Sequence, residues 1–357
     1  MKKIILTTLS YVFFGASVFA QLKQPAKSAG AVWPAAKAQQ WYSKQAWVTG
    51  ANYIPSTAIN QLEMWQANTF DPETIDKELG WAEGIGFNTM RVFLHSLAYQ
   101  QDPAGFKKRI SNYLGIADKH HIKTMFVFFD DCWNPNPKTG KQPDPKPGVH
   151  NSGWSQDPGR NLTDKDYALL ATYVKDVMNT FGHDQRILLW DLYNEPGNSK
   201  RRDQSYDLLS KVFTWARQTN HDQPISSGLW AWDMTRLNTF QALNSDVITY
   251  HEYEEPEKHL RILQVLKTHG RPLICTEYMA RRNKSLFSNI LPILKKENIG
   301  AINWGLVSGK SNTIYAWDTP ISDGSEPQLW FHDIFRKDGS PYKADEVEFI
   351  KQETKRN

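Results

Sequence analysis

Short apolar runs alternate with amphipathic stretches along most of the chain. The runs fall at residues 46–53, 87–94, 122–129, 186–193, 224–229, 247–251, 272–276 and 300–305. Between them apolar residues recur at helical spacing, as in Ile75, Leu79 and Ala82, or Phe106, Ile110 and Leu114. Tyr167, Leu170, Val174, Val177 and Phe181 form a third such stripe. Helix starts are marked by Asp71-Pro72, by Asp102-Pro103 and by Thr163 followed by Asp166, combinations that cap the first turn. Further helices are predicted over 204–217, 234–243, 256–268, 286–296 and 344–352. Mostly apolar runs without strict alternation suit strands buried on both faces of a parallel sheet. Eight strand–helix units with no internal linker predict an α/β fold, a closed (β/α)8 TIM barrel forming a single domain over 46–357.

Two connections exceed simple turns. Residues 131–160, after the third strand, contain six Pro and four Gly, and residues 306–341 follow the eighth. Both leave the C-terminal ends of strands, where barrel enzymes build their sites. The opening residues 1–20 carry Lys2 and Lys3, an apolar stretch from Ile4 to Phe19 and a small residue at Ala20, the pattern of a cleaved signal peptide. An exported protein, periplasmic or extracellular, is the expectation. Residues 21–45, rich in Ala, Gln and Lys, read as a poorly ordered lead-in whose Trp33 and Trp41 dock on the body of the barrel. No other segment is apolar enough to span a bilayer, so no membrane association is expected.

Charge narrows the partners. The chain has 42 basic and 38 acidic residues, and removing Lys2 and Lys3 leaves 40 against 38. With no basic run, a nucleic-acid partner is not expected. Two cysteines make no disulfide framework. Cys132 belongs to the mouth and Cys275 to the seventh strand, so two free thiols are expected. His120-His121 reads as a helix end, and no metal or cofactor is implied. Asn161-Leu162-Thr163 and Asn283-Lys284-Ser285 match the glycosylation pattern, a short motif that arises readily by chance.

The candidate chemistry sits at strand tips. The fourth strand ends Tyr193-Asn194-Glu195-Pro196 and the seventh ends Thr276-Glu277-Tyr278. Strands four and seven stand across the barrel mouth from one another, so the two carboxylates face over a gap. Glycosidic bond cleavage needs such a pair, with a separation that sets retention or inversion of the anomeric configuration.

With these residues in place, the chain resembles glycoside hydrolase family 5, of the retaining (β/α)8 glycosidase clan, over 47–305. The resemblance implies Glu195 as acid/base and Glu277 as nucleophile. It matches Arg91 to the strand-two arginine, His251 and Tyr253 to a strand-six His-x-Tyr, and Trp304 to the strand-eight tryptophan beneath the sugar. On this reading Arg91 keeps Glu277 ionised, the Glu277 charge keeps Glu195 protonated, and Asn194 bonds the sugar 2-hydroxyl. His251 reaches Glu195 or the leaving sugar, with a core histidine as the alternative. The family places a His at the end of strand three, where this chain has Asp130-Asp131-Cys132-Trp133. Asp130 or Asp131 there contacts a sugar hydroxyl or caps the loop, and His95 is a candidate to fill part of the gap. The departure marks a divergent subfamily.

Of 14 Trp, eight fall at strand tips or in mouth connections: Trp65, Trp133, Trp154, Trp230, Trp232, Trp304, Trp317 and Trp330. Indole faces stack on the C–H faces of sugar rings, so a sugar-lined cleft is the expectation, with Trp133, Trp232 and Trp317 among its walls. The function expected is a monomeric, cofactor-free retaining β-glycosidase acting on a carbohydrate of the hemicellulose or β-glucan type. The alternatives are a non-catalytic glycan-binding barrel and a transglycosidase of the same clan.

Overall fold

The computed structural model describes residues 31–355, so the predicted signal peptide at 1–20 lies outside the described residues. Eight parallel strands are present: β1 (Thr49–Asn52), β2 (Thr89–Phe93), β3 (Lys123–Asp130), β4 (Ile187–Asn194), β5 (Ile225–Ser226), β6 (Ile248–His251), β7 (Leu273–Glu277) and β8 (Gly300–Trp304). They run in the order β5-β4-β3-β2-β1-β8-β7-β6. Just beyond β5, Leu229 pairs in parallel with Tyr250, its N–H donating to Thr249 O at 3.0 Å. That bridge brings β5 beside β6 and closes the (β/α)8 barrel.

The helices are α1 (Ala35–Tyr42), α2 (Gln61–Trp65), α3 (Pro72–Glu83), α4 (Ser96–Gln101), α5 (Pro103–Lys119) and α6 (Asp164–Phe181). The series continues with α7 (Tyr206–Arg217), α8 (Thr235–Asn244), α9 (Pro256–Lys267), α10 (Phe287–Lys296) and α11 (Ala344–Thr354). Each Asp-Pro start works as a cap. Asp71 Oδ1 accepts from Thr74 N at 3.0 Å, and Asp102 Oδ1 from Gly105 N at 2.9 Å. Thr163 and Asp166 close a reciprocal capping box, satisfying donors that the first turn leaves free.

Two layers fill the barrel ends. At the N-terminal end Val48, Met125, Leu188, Leu189, Val247, Ile274 and Ile302 form an apolar cluster that Tyr42 joins. The stretch predicted as a poorly ordered lead-in therefore contains a helix, α1, because Tyr42 and Trp41 have apolar surface to cover there. Trp33 N also donates to Asp246 Oδ1 at 2.8 Å. At the C-terminal end Phe93, Val127, Cys132, Trp154 and Trp304 pack together, with Tyr253 against them. No helix among the described residues is long and apolar enough to cross a membrane.

Candidate active site

β3, β4 and β7 each run one residue past the predicted strand, to Asp130, Asn194 and Glu277. β7 ends on Glu277, whereas β4 ends on Asn194 and Glu195 follows with a φ of 45°. A side chain other than glycine held in the left-handed region costs roughly 1–3 kcal/mol, a burden found where a catalytic group must be aimed. The turn continues through Gly197 at φ 92°, where a Cβ would lie 2.6 Å from Met234 Sδ. β6 contributes by a register shift between Tyr250 and His251, which pairs His251 with Glu277. Such an irregularity re-aims a side chain at the barrel rim.

These elements bring Glu195, His251 and Glu277 together, with one ligand-type atom from each within 4.8 Å of the others. His251 Nδ1 lies 2.9 Å from Glu195 Oε1 and 3.5 Å from Glu277 Oε2. Tyr253 donates its hydroxyl to Glu277 Oε2 at 2.7 Å. Arg91, fully buried on β2, is the hub beneath. Its guanidinium donates to Glu277 Oε1 at 2.9 Å, Asn52 Oδ1 at 2.7 Å, Asp191 Oδ2 at 2.9 Å and Asn194 Oδ1 at 2.7 Å. Two carboxylates and a histidine at this spacing form a geometry a cation can use. The Arg91 guanidinium already supplies positive charge to Glu277 from within the same cluster, which disfavours a divalent ion there.

Burial raises Glu277 above the usual carboxylate range and the Glu195 charge adds to it, while His251, Arg91 and the Tyr253 hydroxyl act against both. Glu195 is also raised by burial, opposed by hydrogen bonds from Cys132 and Asn198 and by Arg91 at longer range. Two buried carboxyls this close favour sharing one proton. The guanidinium and the phenol both hold charge on Glu277, so the proton belongs on Glu195. Burial lowers His251 to about 4, against the Glu277 charge that favours its cation. The imidazole is then neutral near pH 7.

A cavity of about 440 Å³ stands over the pair, walled by Trp133, Trp154, Trp230, Trp304 and Trp317 with Tyr253 between them. Trp133 is 40% exposed, and its φ of 69° turns it up from the β3 exit. Trp232 lies in an adjoining groove with its N–H 3.2 Å from Glu252 Oε2. Six of the eight mouth tryptophans thus line the two spaces. Trp65 and Trp330 do not. Trp65 is fully buried against Phe106, Tyr113 and Phe126, and Trp330 is stacked on Tyr342. Apolar neighbours on the helix layer claim the first, and an aromatic partner claims the second.

Other expectations resolve differently. Asp130 Oδ2 accepts from Trp154 Nε1 at 2.6 Å and Oδ1 accepts from Asn194 Nδ2 at 2.9 Å. It lies beneath the cavity wall, holding Asn194 and Trp154 in place. Asp131 binds the turn after β4, accepting from Tyr193 Oη at 2.7 Å and Gly197 N at 2.8 Å, with Arg201 at 3.2 Å. It caps that loop. His95, the candidate to fill the strand-three gap, is the N-cap of α4, its Nδ1 accepting from Leu97 N at 3.2 Å. It is fully buried and faces Asp157 at 3.6 Å, outside the cavity lining. Its side chain is spent on the turn after β2.

Several contributors had no legible signal. Cys132 reaches Glu195 Oε2 at 3.2 Å, and Asn198 donates to the same oxygen. Asp191, fully buried in mid-β4, pairs with Arg91. His150 and Asn151 arrive from the long β3 loop. Both cysteines are free.

Solved structures share this architecture. The GH5_18 protein of Streptomyces cattleya, bound to Manβ1-4GlcNAc, superposes with a TM-score of 0.58 at 11% identity, covering 85% of this chain and 79% of that one. The exo-β-1,4-mannosidase Op5Man5 from Opitutaceae bacterium strain TAV5 gives 0.58 at 19% identity, over 86% of this chain and 59% of the other. The chain shares its barrel fold with these glycoside hydrolases. A third neighbour, the endo-β-1,4-mannanase from Thermotoga petrophila, gives 0.53 at 12% identity over 88% and 77%. No protein-family model matches the chain, and no curated protein does. At these identities the likeness to the GH5 barrel is one of fold.

Proposed function

We propose that the protein is an exported, retaining O-glycoside hydrolase that cleaves β-glycosidic bonds by double displacement. The observation that carries this reading is the Glu195–Glu277 pair, with carboxylate oxygens within 4.8 Å across the mouth of the barrel. Retaining enzymes hold their carboxyls about 5–5.5 Å apart, while inverting ones leave about 6.5–9.5 Å for a water. In the first step Glu277 attacks the anomeric carbon as the bond to the leaving oxygen breaks, and Glu195 gives its proton to that oxygen. Glycosylation removes the charge on Glu277, so Glu195 holds its next proton less tightly and turns base. It then takes a proton from water, whose oxygen displaces Glu277 from the anomeric carbon. His251, neutral and bonded to Glu195, orients the carboxyl through both steps. The substrate class proposed is a neutral β-linked glycan of the hemicellulose or β-glucan type.

Turnover of a panel of aryl β-mannosides, β-glucosides and β-xylosides tests the reading. Removing one member of a catalytic group that acts as a unit costs roughly 10⁴-fold or more, and that loss is expected for Glu277→Gln. Glu195→Ala is expected to retain attack on aryl glycosides with good leaving groups and to be rescued by azide as a β-glycosyl azide. Wild-type-like turnover by Glu277→Gln overturns the mechanism, and binding without turnover in the wild type makes the barrel a glycan-binding module. Products extended by an added sugar acceptor in preference to hydrolysis mark a transglycosidase. Recovery of the native chain without residues 1–20 outside the cytoplasm tests export.

A further inference from the structure

The three connections after β1, β3 and β8 are tied to one another over one sector of the barrel mouth. From the β8 side, Lys310 N donates to Ser56 O at 3.1 Å, and Lys310 Nζ pairs with Glu63 at 2.7 Å. The β8 and β3 loops interlock further along. Asn151 N donates to Ser311 O at 2.9 Å, Ile321 N to Gly148 O at 3.0 Å and Asn312 Nδ2 to Lys146 O at 2.9 Å. From the β1 side, Asn60 Nδ2 donates to Gly153 O at 2.8 Å and Gln61 Nε2 to Ser155 O at 3.0 Å. The approach at Gly148 is close enough, at φ 75°, that a Cβ there would stand 1.8 Å from Ile321 O. This is a roof over the side of the mouth that β1, β2 and β8 enclose.

Behind Trp154 and Trp304, under that roof, the remaining space is about 20 Å³. A single water needs roughly 10–15 Å³ by this measure, so no sugar ring fits. The opposite side is open. A groove of about 570 Å³ leads away from Glu195 past Trp230, Trp232, Glu252 and Arg261, and it does not touch Glu277. The chemistry assigns direction to these two ends. A leaving oxygen protonated by Glu195 belongs to a sugar lying on the Glu195 side, in the groove. The sugar attacked by Glu277 lies over Trp304 with its far end against the roofed wall. Apart from the catalytic pair, no charged side chain among the described residues lines that inner cavity.

Resting on the hydrolase reading above, we propose that the site is a closed-ended pocket that accepts one neutral sugar before the scissile bond. The enzyme then acts from the non-reducing end, releasing a single sugar at each turnover, and the remainder of the chain leaves along the Trp230–Trp232 groove.

The test uses the full chain and β-1,4-linked manno- and cello-oligosaccharides, from tri- to hexasaccharide, labelled at the reducing end. Whichever series is hydrolysed, the expected labelled products shorten by one sugar at a time, with free monosaccharide as the only unlabelled product from the first time points. Unlabelled di- or trisaccharide at early times overturns the proposal while leaving the hydrolase reading intact. Absence of turnover on every aryl β-glycoside and oligosaccharide overturns both. Gly148→Val, with its fold checked by circular dichroism, is expected to push the β3 and β8 loops apart and add disaccharide to the unlabelled products. A folded Gly148→Val enzyme with unchanged products overturns the role of the roof as the wall.

Discussion

Cys132 places its thiol 3.2 Å from Oε2 of Glu195, while His251 Nδ1 holds Oε1 of the same carboxyl at 2.9 Å. The Glu195 carboxyl is thus gripped through both oxygens, one by an imidazole and one by a thiol that Asn198 supports at 3.3 Å. The thiol bond favours the ionised carboxyl and so opposes the rise that burial imposes on Glu195. Cys132→Ala removes that opposition, so the Glu195 pKa rises further. On the proposed mechanism Glu195 must be protonated for the first step, so the alkaline limb of kcat/KM is expected to move to higher pH. Cys132→Ser, which keeps a donor, is expected to move it less. A pH–rate profile of the two variants checks both statements.

Arg91 serves four acceptors from one planar group, a task its geometry suits and a lysine ammonium does not. Losing one charge-assisted hydrogen bond costs about 1.5–3 kcal/mol, so Arg91→Lys is expected to lower kcat/KM roughly 10- to 100-fold. The guanidinium acts against the raised pKa of Glu277. With that contact weakened, Glu277 ionises only at higher pH, and the acidic limb is expected to move up. An unmoved acidic limb in Arg91→Lys contradicts the assignment of Arg91 to Glu277.

Asp131 makes a stability prediction. It is fully buried and accepts from Tyr193, Gly197 and Ser205, beside Arg201. Asp131→Ala leaves that guanidinium without its partner, and breaking a buried pair typically costs about 3–5 kcal/mol. Chemical denaturation is expected to show a loss of that order. Activity of the protein that remains folded is also expected to fall, because the turn that Asp131 caps carries Glu195.

A pH-dependent stability term sits at Asp157. Burial raises it to about 8, opposed by the N–H and O–H of Ser96, while burial lowers the adjacent His95 to about 3. An unfolded Asp ionises near 3.9, so between about pH 4 and 8 the folded chain holds a proton that the unfolded chain has lost. The Asp157 contribution therefore falls as pH rises through that window, opposite in sign to that of His95 below about pH 6.5. Asp157→Asn removes this term, and its unfolding free energy is expected to gain on the wild type as pH increases from 4 to 8. A difference that stays constant across the window refutes it.

The sequence made the barrel legible because its signals were local and repeated. Asp71, Asp102 and Thr163 cap the helices at which their motifs point, and the apolar runs place Arg91 within a strand and Glu195, His251 and Glu277 at strand ends. Position along a strand is readable from the chain; contact across the mouth is not. The pairing of Cys132 with Glu195 depends on the turn that Asp131 ties down, and no spacing in the sequence encodes it. His95 shares parity with Arg91, yet the chain turns into α4 at that residue and uses its imidazole as a cap. Trp65 and Trp330 show the same limit for composition. An indole in a connection packs inward when apolar or aromatic neighbours are within reach.

The floor of the barrel has a practical meaning. α1 covers the N-terminal ends of the strands through Trp41 and Tyr42, and Trp33 bonds to Asp246 on that same side. A protein begun at residue 46 would lose this cover and leave the apolar layer of Val48, Leu188 and Ile302 facing water. A protein held by its N-terminal residues, on a bead, a surface or another domain, is held by its underside. The cavity over Glu195 and Glu277 then faces away from the attachment, open to whatever the surroundings supply.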